Sequence, residues 1–179
     1  MNGTAPPSRA EELARGVEMS RELLVRFLPG FTDANHTRQA PHLPNHLAWN
    51  LGHLAHTCNR CAAMLDGRLD FPDTDFRPGS SGDAERFGIE SIAFGSSPVD
   101  DSARYPRLDR CTAIFDRAIT RYAAALRAAG DAGIDREVAW GGSPITAARL
   151  AIRMIFHNGT HTGEILDLRR ALGLPRILG

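Results

Sequence analysis

The stretch MIFHNGTHTGEIL, Met154–Leu166, decides how this chain is to be read. Two histidines, two glycines, two threonines and an asparagine interrupt what should be the apolar face of a terminal helix. Polar groups buried without partners cost free energy, and each glycine costs a helix roughly 1 kcal/mol relative to alanine. Either the segment is not a core helix, or something within the fold satisfies those groups. In a helix, residues four apart are offset by about 40° and rise about 6 Å. His157 and His161 therefore project from one face, close enough to bind one metal ion through their imidazoles.

Working outward, WGGSPITAARL supplies a start for this helix, with Ser143 as N-cap and Pro144 in the first turn. The helix is expected to run through Leu172 and end at Gly173–Pro175. A first helix opens at SRAE, where Ser8 and Glu11 have capping-box spacing. It carries Leu13, Val17, Leu24, Val25 and Leu28 and stops at Leu28–Gly30. A second is set up by PHLPNHLAWNLGHLAHTCNRCAAMLDG, with Pro44 in its first turn and Gly67 beyond its end. Leu47, Leu51, Leu54, Cys58, Cys61 and Leu65 keep a helical period there. A third runs from about Arg107 to Ala129, with Leu108, Cys111, Ile114, Phe115, Ile119, Tyr122 and Leu126 as its stripe.

Between the second and third helices lies an irregular stretch, Gly67 to Pro106. A connection this long is usually functional, disordered or partly helical. Phe71, Phe76, Phe87 and Phe94 argue against disorder, because they can anchor it to the body. No strand of convincing alternation and no internal repeat is found. The expectation is an all-α protein: a four-helix bundle forming a single domain over 1–179, with a long crossover connection between the second and third helices.

Composition narrows the function. The formal net charge is zero, so no basic field argues for nucleic acid. Every basic side chain is an arginine, which excludes catalysis by a lysine amine. No run of about 18 apolar residues exists to span a membrane, and MNGTAPPSRAEELARG lacks the apolar core of a signal peptide. A cytoplasmic protein is expected. Three cysteines do not make a disulfide framework. Cys58 and Cys61 have redox-motif spacing but fall deep in a helix, away from the N-terminus that would depress a thiol pKa. They are read as core.

The second helix offers partners for His157 and His161. His46 and His53 are seven apart and share a face, while His56 lies three beyond His53. A third neutral imidazole would complete a site with open positions for water or substrate. WNLGHLAH in the second helix together with FHNGTHTGEILDLRRALGLP in the last resembles the DinB/YfiT-like superfamily. More loosely, it resembles the DinB-type domain of ergothioneine-biosynthesis enzymes. The resemblance spans nearly the whole chain. It implies a bundle whose metal is held by one histidine of the second helix and the H-x-x-x-H pair of the fourth, here His53, His157 and His161.

Around that site, Gly159 and Gly163 are expected to let another helix or a ligand approach closely. Glu164 is expected to hydrogen-bond a ligating histidine or the pocket water, and it is the candidate catalytic group. Its bland alternative is a surface carboxylate paired with Arg60 or Arg153. His46, Trp49, Asn50 and Phe94 are expected to line the pocket, Asn158 to be exposed or to join helices, and His36, His42 and His56 to be structural or solvent-facing.

Zinc, nickel and iron all accept three histidines. In the family this chain resembles, a low-molecular-weight thiol such as mycothiol or bacillithiol is the nucleophile. The implied function is a metal-dependent transferase acting on small electrophilic substrates. An arginine-, alanine- and glycine-rich composition typical of GC-rich genomes points to mycothiol if the source is an actinobacterium. The alternatives are a metal-dependent hydrolase or a non-catalytic, metal-stabilised small-molecule-binding stress protein. The resemblance also implies a homodimer.

Overall fold

The computed structural model describes residues 6–68 and 71–177. The extreme N-terminus, where a signal peptide is not expected, and two residues of the long connection lie outside them. Four helices form the body: α1 (Arg9–Val25), α2 (Leu47–Asp66), α3 (Leu108–Ile134) and α4 (Ala147–Ala171). Two short two-stranded sheets accompany them, β1 (Phe76–Arg77) with β2 (Phe87–Gly88), and β3 (Glu137–Trp140) with β4 (Ser143–Thr146).

The helix ends show where sequence signals hold and where they do not. The Ser8 hydroxyl accepts from Glu11 N–H and caps α1. Gly67, at φ 72°, closes α2 in the left-handed conformation that glycine adopts at least cost. The start of α2 corrects the expectation for Pro44. The Pro44 carbonyl accepts from the Gln39 amide at 2.6 Å, residues 44–46 are irregular, and the helix begins at Leu47. The cap is His46, whose Nδ1 accepts from Trp49 N–H at 3.1 Å.

At α4 the correction is larger. Ser143 and Pro144 lie in β4 of an antiparallel hairpin, and Thr146 is the N-cap. Gly141 and Gly142, at φ 59° and 83°, form the tight turn that reverses the chain between Trp140 and Ser143. The chain is thus mainly helical, with a hairpin the reading from sequence lacked. The third helix also extends past Ala129, kinking at Gly130, where φ is 60°.

Residue pairs fix the topology. Gly16 meets Ile155 and Ser20 meets Asn158, so α1 and α4 run in the same direction. Arg9 with Asp135 and Arg21 with Asp116 make α3 antiparallel to α1. Asn50 with His161 and Asn45 with Glu164 make α2 antiparallel to α4. It follows that α2 and α3 are parallel, which requires a connection running back along the bundle. Residues 67–106 make that return. Each helix packs mainly on two others, with α1 diagonal to α2. The core between them holds Leu24, Leu51, Leu54, Ile114, Phe115, Leu126, Leu150 and Ile165, together with all three free cysteines.

Apolar and ionic contacts clamp the crossover. Phe76 and Phe87 are buried, and Phe71 stacks on His56 with ring centroids 4.7 Å apart. Asp75, buried beside β1, accepts two hydrogen bonds from Arg117 of α3, at 2.6 and 3.0 Å. Gly52 is what admits the crossover to α2. A Cβ there would come within 2.7 Å of the Phe87 ring and 2.8 Å of Ile92.

Candidate metal centre

With α2 and α4 antiparallel, His53 faces the His157–His161 stripe across a narrow cleft. One ring nitrogen from each of the three lies within 4.8 Å of the others. Nε2 of His161 stands 3.2 Å from Nε2 of His157. The ring centroid of His53 is 5.3 Å from that of His157 and 5.2 Å from that of His161.

The hydrogen bonds behind the rings set their tautomers. Nδ1 of His53 lies 2.9 Å from the Ile92 carbonyl, which only accepts, so the proton sits on Nδ1 and Nε2 keeps its lone pair. Nδ1 of His161 is 2.6 Å from Asn50 Oδ1 and 2.9 Å from Glu164 Oε2. The Asn50 amide nitrogen donates to the His46 carbonyl at 3.2 Å, which orients its oxygen toward His161. Both contacts on His161 Nδ1 are therefore acceptors, so Nδ1 carries a proton and Nε2 is the atom turned toward His157. His157 Nδ1 is buried with no partner, which leaves this ring the least constrained of the three.

Ring nitrogens converging from three histidines offer a cation a ready set of ligands. Burial lowers the His53 pKa and pushes His157 down to about 4, so both are neutral near pH 7, the form that ligates. Three imidazoles, two of them oriented through Nδ1–H, fit a divalent ion. No fourth cysteine, carboxylate or histidine among the described residues joins the cluster.

The other site residues take definite places. Trp49 stacks flat on His53, with centroids 4.6 Å apart and planes at 5°. Its indole N–H donates to the Ser96 hydroxyl, which in turn donates to the Ser91 carbonyl. Asn50 is buried and touches His161 rather than lining a mouth. His46 is likewise buried, bonded through Nε2 to the Val99 carbonyl. Phe94 is 91% exposed, so its ring stands in solvent rather than packing as a wall beside the histidines.

Glu164 makes no ion pair with Arg60 or Arg153. It accepts from His161 Nδ1 and from the Asn45 amide at 3.2 Å. Burial raises its pKa, but the hydrogen bond from His161 and the surrounding imidazoles outweigh that, so the net shift is downward. Asn158 donates to Ser20 Oγ at 2.8 Å and ties α4 to α1. No other helix packs closely on Gly159 or Gly163, since a Cβ at either would meet nothing within 4 Å. His36 bonds the Asp33 and Pro106 carbonyls, His42 is exposed, and His56 is buried against Phe71.

Residues 17–165 match the family model of the DinB superfamily. The chain belongs to the DinB superfamily. Two solved structures share the superfamily's bundle with it. A conserved protein from Enterococcus faecalis is 13% identical, with a TM-score of 0.68 over 94% of this chain and 99% of that one. YfiT from Bacillus subtilis is 17% identical, with a TM-score of 0.61 over 98% of this chain and 95% of that one. YfiT is described as a probable metal-dependent hydrolase with an unusual four-helix bundle topology. No curated protein matches. At these identities the likeness is one of fold; the donor set of this DinB-superfamily chain is argued from its own side chains. No described helix is long and apolar enough to cross a membrane.

His46 and His56 supply a test of burial that is independent of the metal. Burial pushes each from 6.5 to about 4 in the folded chain. The unfolded state therefore binds more protons than the folded state between pH 6.5 and 4. Their contribution is complete above 6.5 and is lost as pH falls through 4, on the order of 3 kcal/mol for each. Chelator-treated protein should show its urea midpoint dropping steeply over that window, and a flat profile would contradict the burial of these rings.

Proposed function

We propose that the chain, as a single domain over 1–179, is a divalent-metal-dependent transferase. It would join a low-molecular-weight thiol of the mycothiol or bacillithiol type to small electrophiles. The observation that carries this reading is the position of Glu164. Its carboxylate meets the Nδ1 side of His161, behind the ring, whereas the Nε2 atoms converge on the other side. It orients a ligand and is not placed to take a proton from a nucleophile bound among the imidazoles.

A divalent ion held by His53, His157 and His161, whether zinc, nickel or iron, would supply Lewis acidity that favours a deprotonated nucleophile near neutral pH. A thiol starts near pKa 8.5 and water near 15.7, so a thiol needs far less help and no side-chain base. The thiol cannot come from the protein. All three cysteines are buried, and burial drives Cys58 up to about 12. It must be a cosubstrate, whose sulfur forms the bond to the electrophilic carbon as its proton passes to water and the carbon's leaving group, chloride in a chlorodinitrobenzene, departs with the bonding pair. Asn50, Glu164 and the Ile92 carbonyl keep the imidazoles in the ligating tautomer, and Trp49 covers one face of His53.

A second reading, hydrolysis, draws on the description of YfiT. It requires a base, and Glu164 is the nearest candidate. Glu164→Gln separates the two, because the glutamine oxygen still accepts from His161 but cannot take a proton. Thiol conjugation by zinc- or nickel-loaded protein, read with mycothiol or bacillithiol and a chlorodinitrobenzene, should fall by less than about tenfold in this variant. Loss of all turnover in Glu164→Gln would favour hydrolysis. No metal-dependent conjugation by the wild type with either thiol would remove the transferase reading.

A further inference from the structure

The cleft between α2 and α4 is polarised along its length. On α4, Arg153, His157, His161 and Glu164 follow one another at intervals of four, four and three, which places them on one face. On α2, Trp49, His53 and Arg60 do the same at intervals of four and seven. Asn45 and Glu164 close one end of the cleft. Toward the other end, Arg60 lies two turns beyond His53, about 10 Å, and Arg153 one turn before His157, about 6 Å. Because the helices are antiparallel and Asn50 meets His161, these two arginines stand at nearly the same level on facing helices.

Both are exposed, and neither makes a hydrogen bond or ion pair with any described residue. Arg121, by contrast, is engaged by Asp66 and Asn59. The Arg60 guanidinium lies 5.3 Å over the ring of Trp140, which β3 carries to this end of the cleft. Two cations with no carboxylate partner, beside a cluster of ligating nitrogens, suit a ligand that is anionic on one side and reactive on the other.

We propose that Arg60 and Arg153 form an anion subsite adjoining the metal centre, so that a substrate carries a carboxylate or phosphate one to two helical turns from its reacting atom. This rests on the reading of His53, His157 and His161 as a metal and thiol site, and it specifies the chemical class of what that site accepts.

The test uses cobalt-loaded wild type and probes that differ only in the charged end: mercaptopropionate against mercaptopropanol, and mercaptohexanoate against mercaptohexanol. The thiolate-to-cobalt absorption band reads binding. At least one acid should bind about tenfold more tightly than its alcohol, with the preference shrinking as salt rises. In the Arg60→Gln/Arg153→Gln double variant that preference should fall to about unity while the alcohols bind as before. An undiminished acid preference in the double variant, or none in the wild type, overturns the subsite on the thiol.

A second arm adds phosphate or succinate to the mercaptopropanol complex. Binding that the double variant loses assigns the subsite to the electrophile and supports the proposal. Failure in both arms overturns it while leaving the metal reading intact. If the protein takes up no cobalt, the functional reading fails instead. The subsite is then tested on metal-free Trp49→Phe protein by phosphate titration of Trp140 fluorescence, and a signal that does not depend on Arg60 overturns it.

Discussion

The His161→Ala variant loses its divalent ion, with affinity falling at least about a hundredfold below wild type, and His157→Ala does the same. His161 is the more rigidly held of the two, because Asn50 and Glu164 fix its Nδ1 while Nε2 faces His157 at 3.2 Å. Removing either ring leaves two imidazoles and no thiolate or carboxylate in the cluster to replace the third. The fold should survive. In the metal-free chain the only link between these two rings is one Nε2–Nε2 contact at 3.2 Å, so helical circular dichroism should be unchanged. Elemental analysis after dialysis checks the outcome, and a full equivalent of metal in both variants would contradict it.

The largest loss of stability is expected at Arg117→Ala, about 3 kcal/mol by chemical denaturation. Asp75 has a side chain only 3% exposed and takes its two shortest bonds from Arg117, with the Thr74 hydroxyl at 3.1 Å and Arg110 at 3.4 Å. Truncating Arg117 leaves a buried carboxylate with only those two weaker contacts. Truncating Asp75 instead leaves Arg117, whose side chain is 48% exposed and can turn to water, so Asp75→Ala should cost less, about 1–2 kcal/mol. In the double variant the costs should fall short of their sum, because the second truncation removes a group already without its partner. Simple additivity would mean that this pair does not hold the crossover against α3.

Why some features were legible in the sequence and others were not follows from the kind of signal each leaves. The four-residue spacing of His157 and His161 and the apolar stripe from Leu47 to Leu65 are local, so helix and ligand face could be read directly. The choice of His53 over His46 needed the family resemblance, since both lie on one face of α2. In the structure His46 is occupied as a cap and by the Val99 carbonyl. The hairpin was missed because its strands are only four residues long, although the double glycine at Gly141–Gly142 marks the turn. Pro144 reads equally well as a helix start or a short strand.

Which glycine admits a neighbouring segment was not legible for a different reason. What a glycine makes room for depends on which way its helix faces. Gly159 and Gly163 face open space, whereas Gly52 receives Phe87 and Ile92. That contact brings the Ile92 carbonyl to His53, and a backbone carbonyl has no identity in a sequence. The crossover therefore completes the site through atoms that no motif encodes, and the aromatic anchors Phe76 and Phe87 are its visible trace.

The central claim is that His53, His157 and His161 together hold one divalent ion. X-ray absorption at the metal edge, on protein loaded with one equivalent of zinc, tests it most directly. The expected spectrum has a nitrogen and oxygen first shell with outer scattering from three imidazoles, reduced to two in His53→Ala. A shell with fewer than three imidazoles in the wild type, or an unchanged spectrum from His53→Ala, would contradict the assignment.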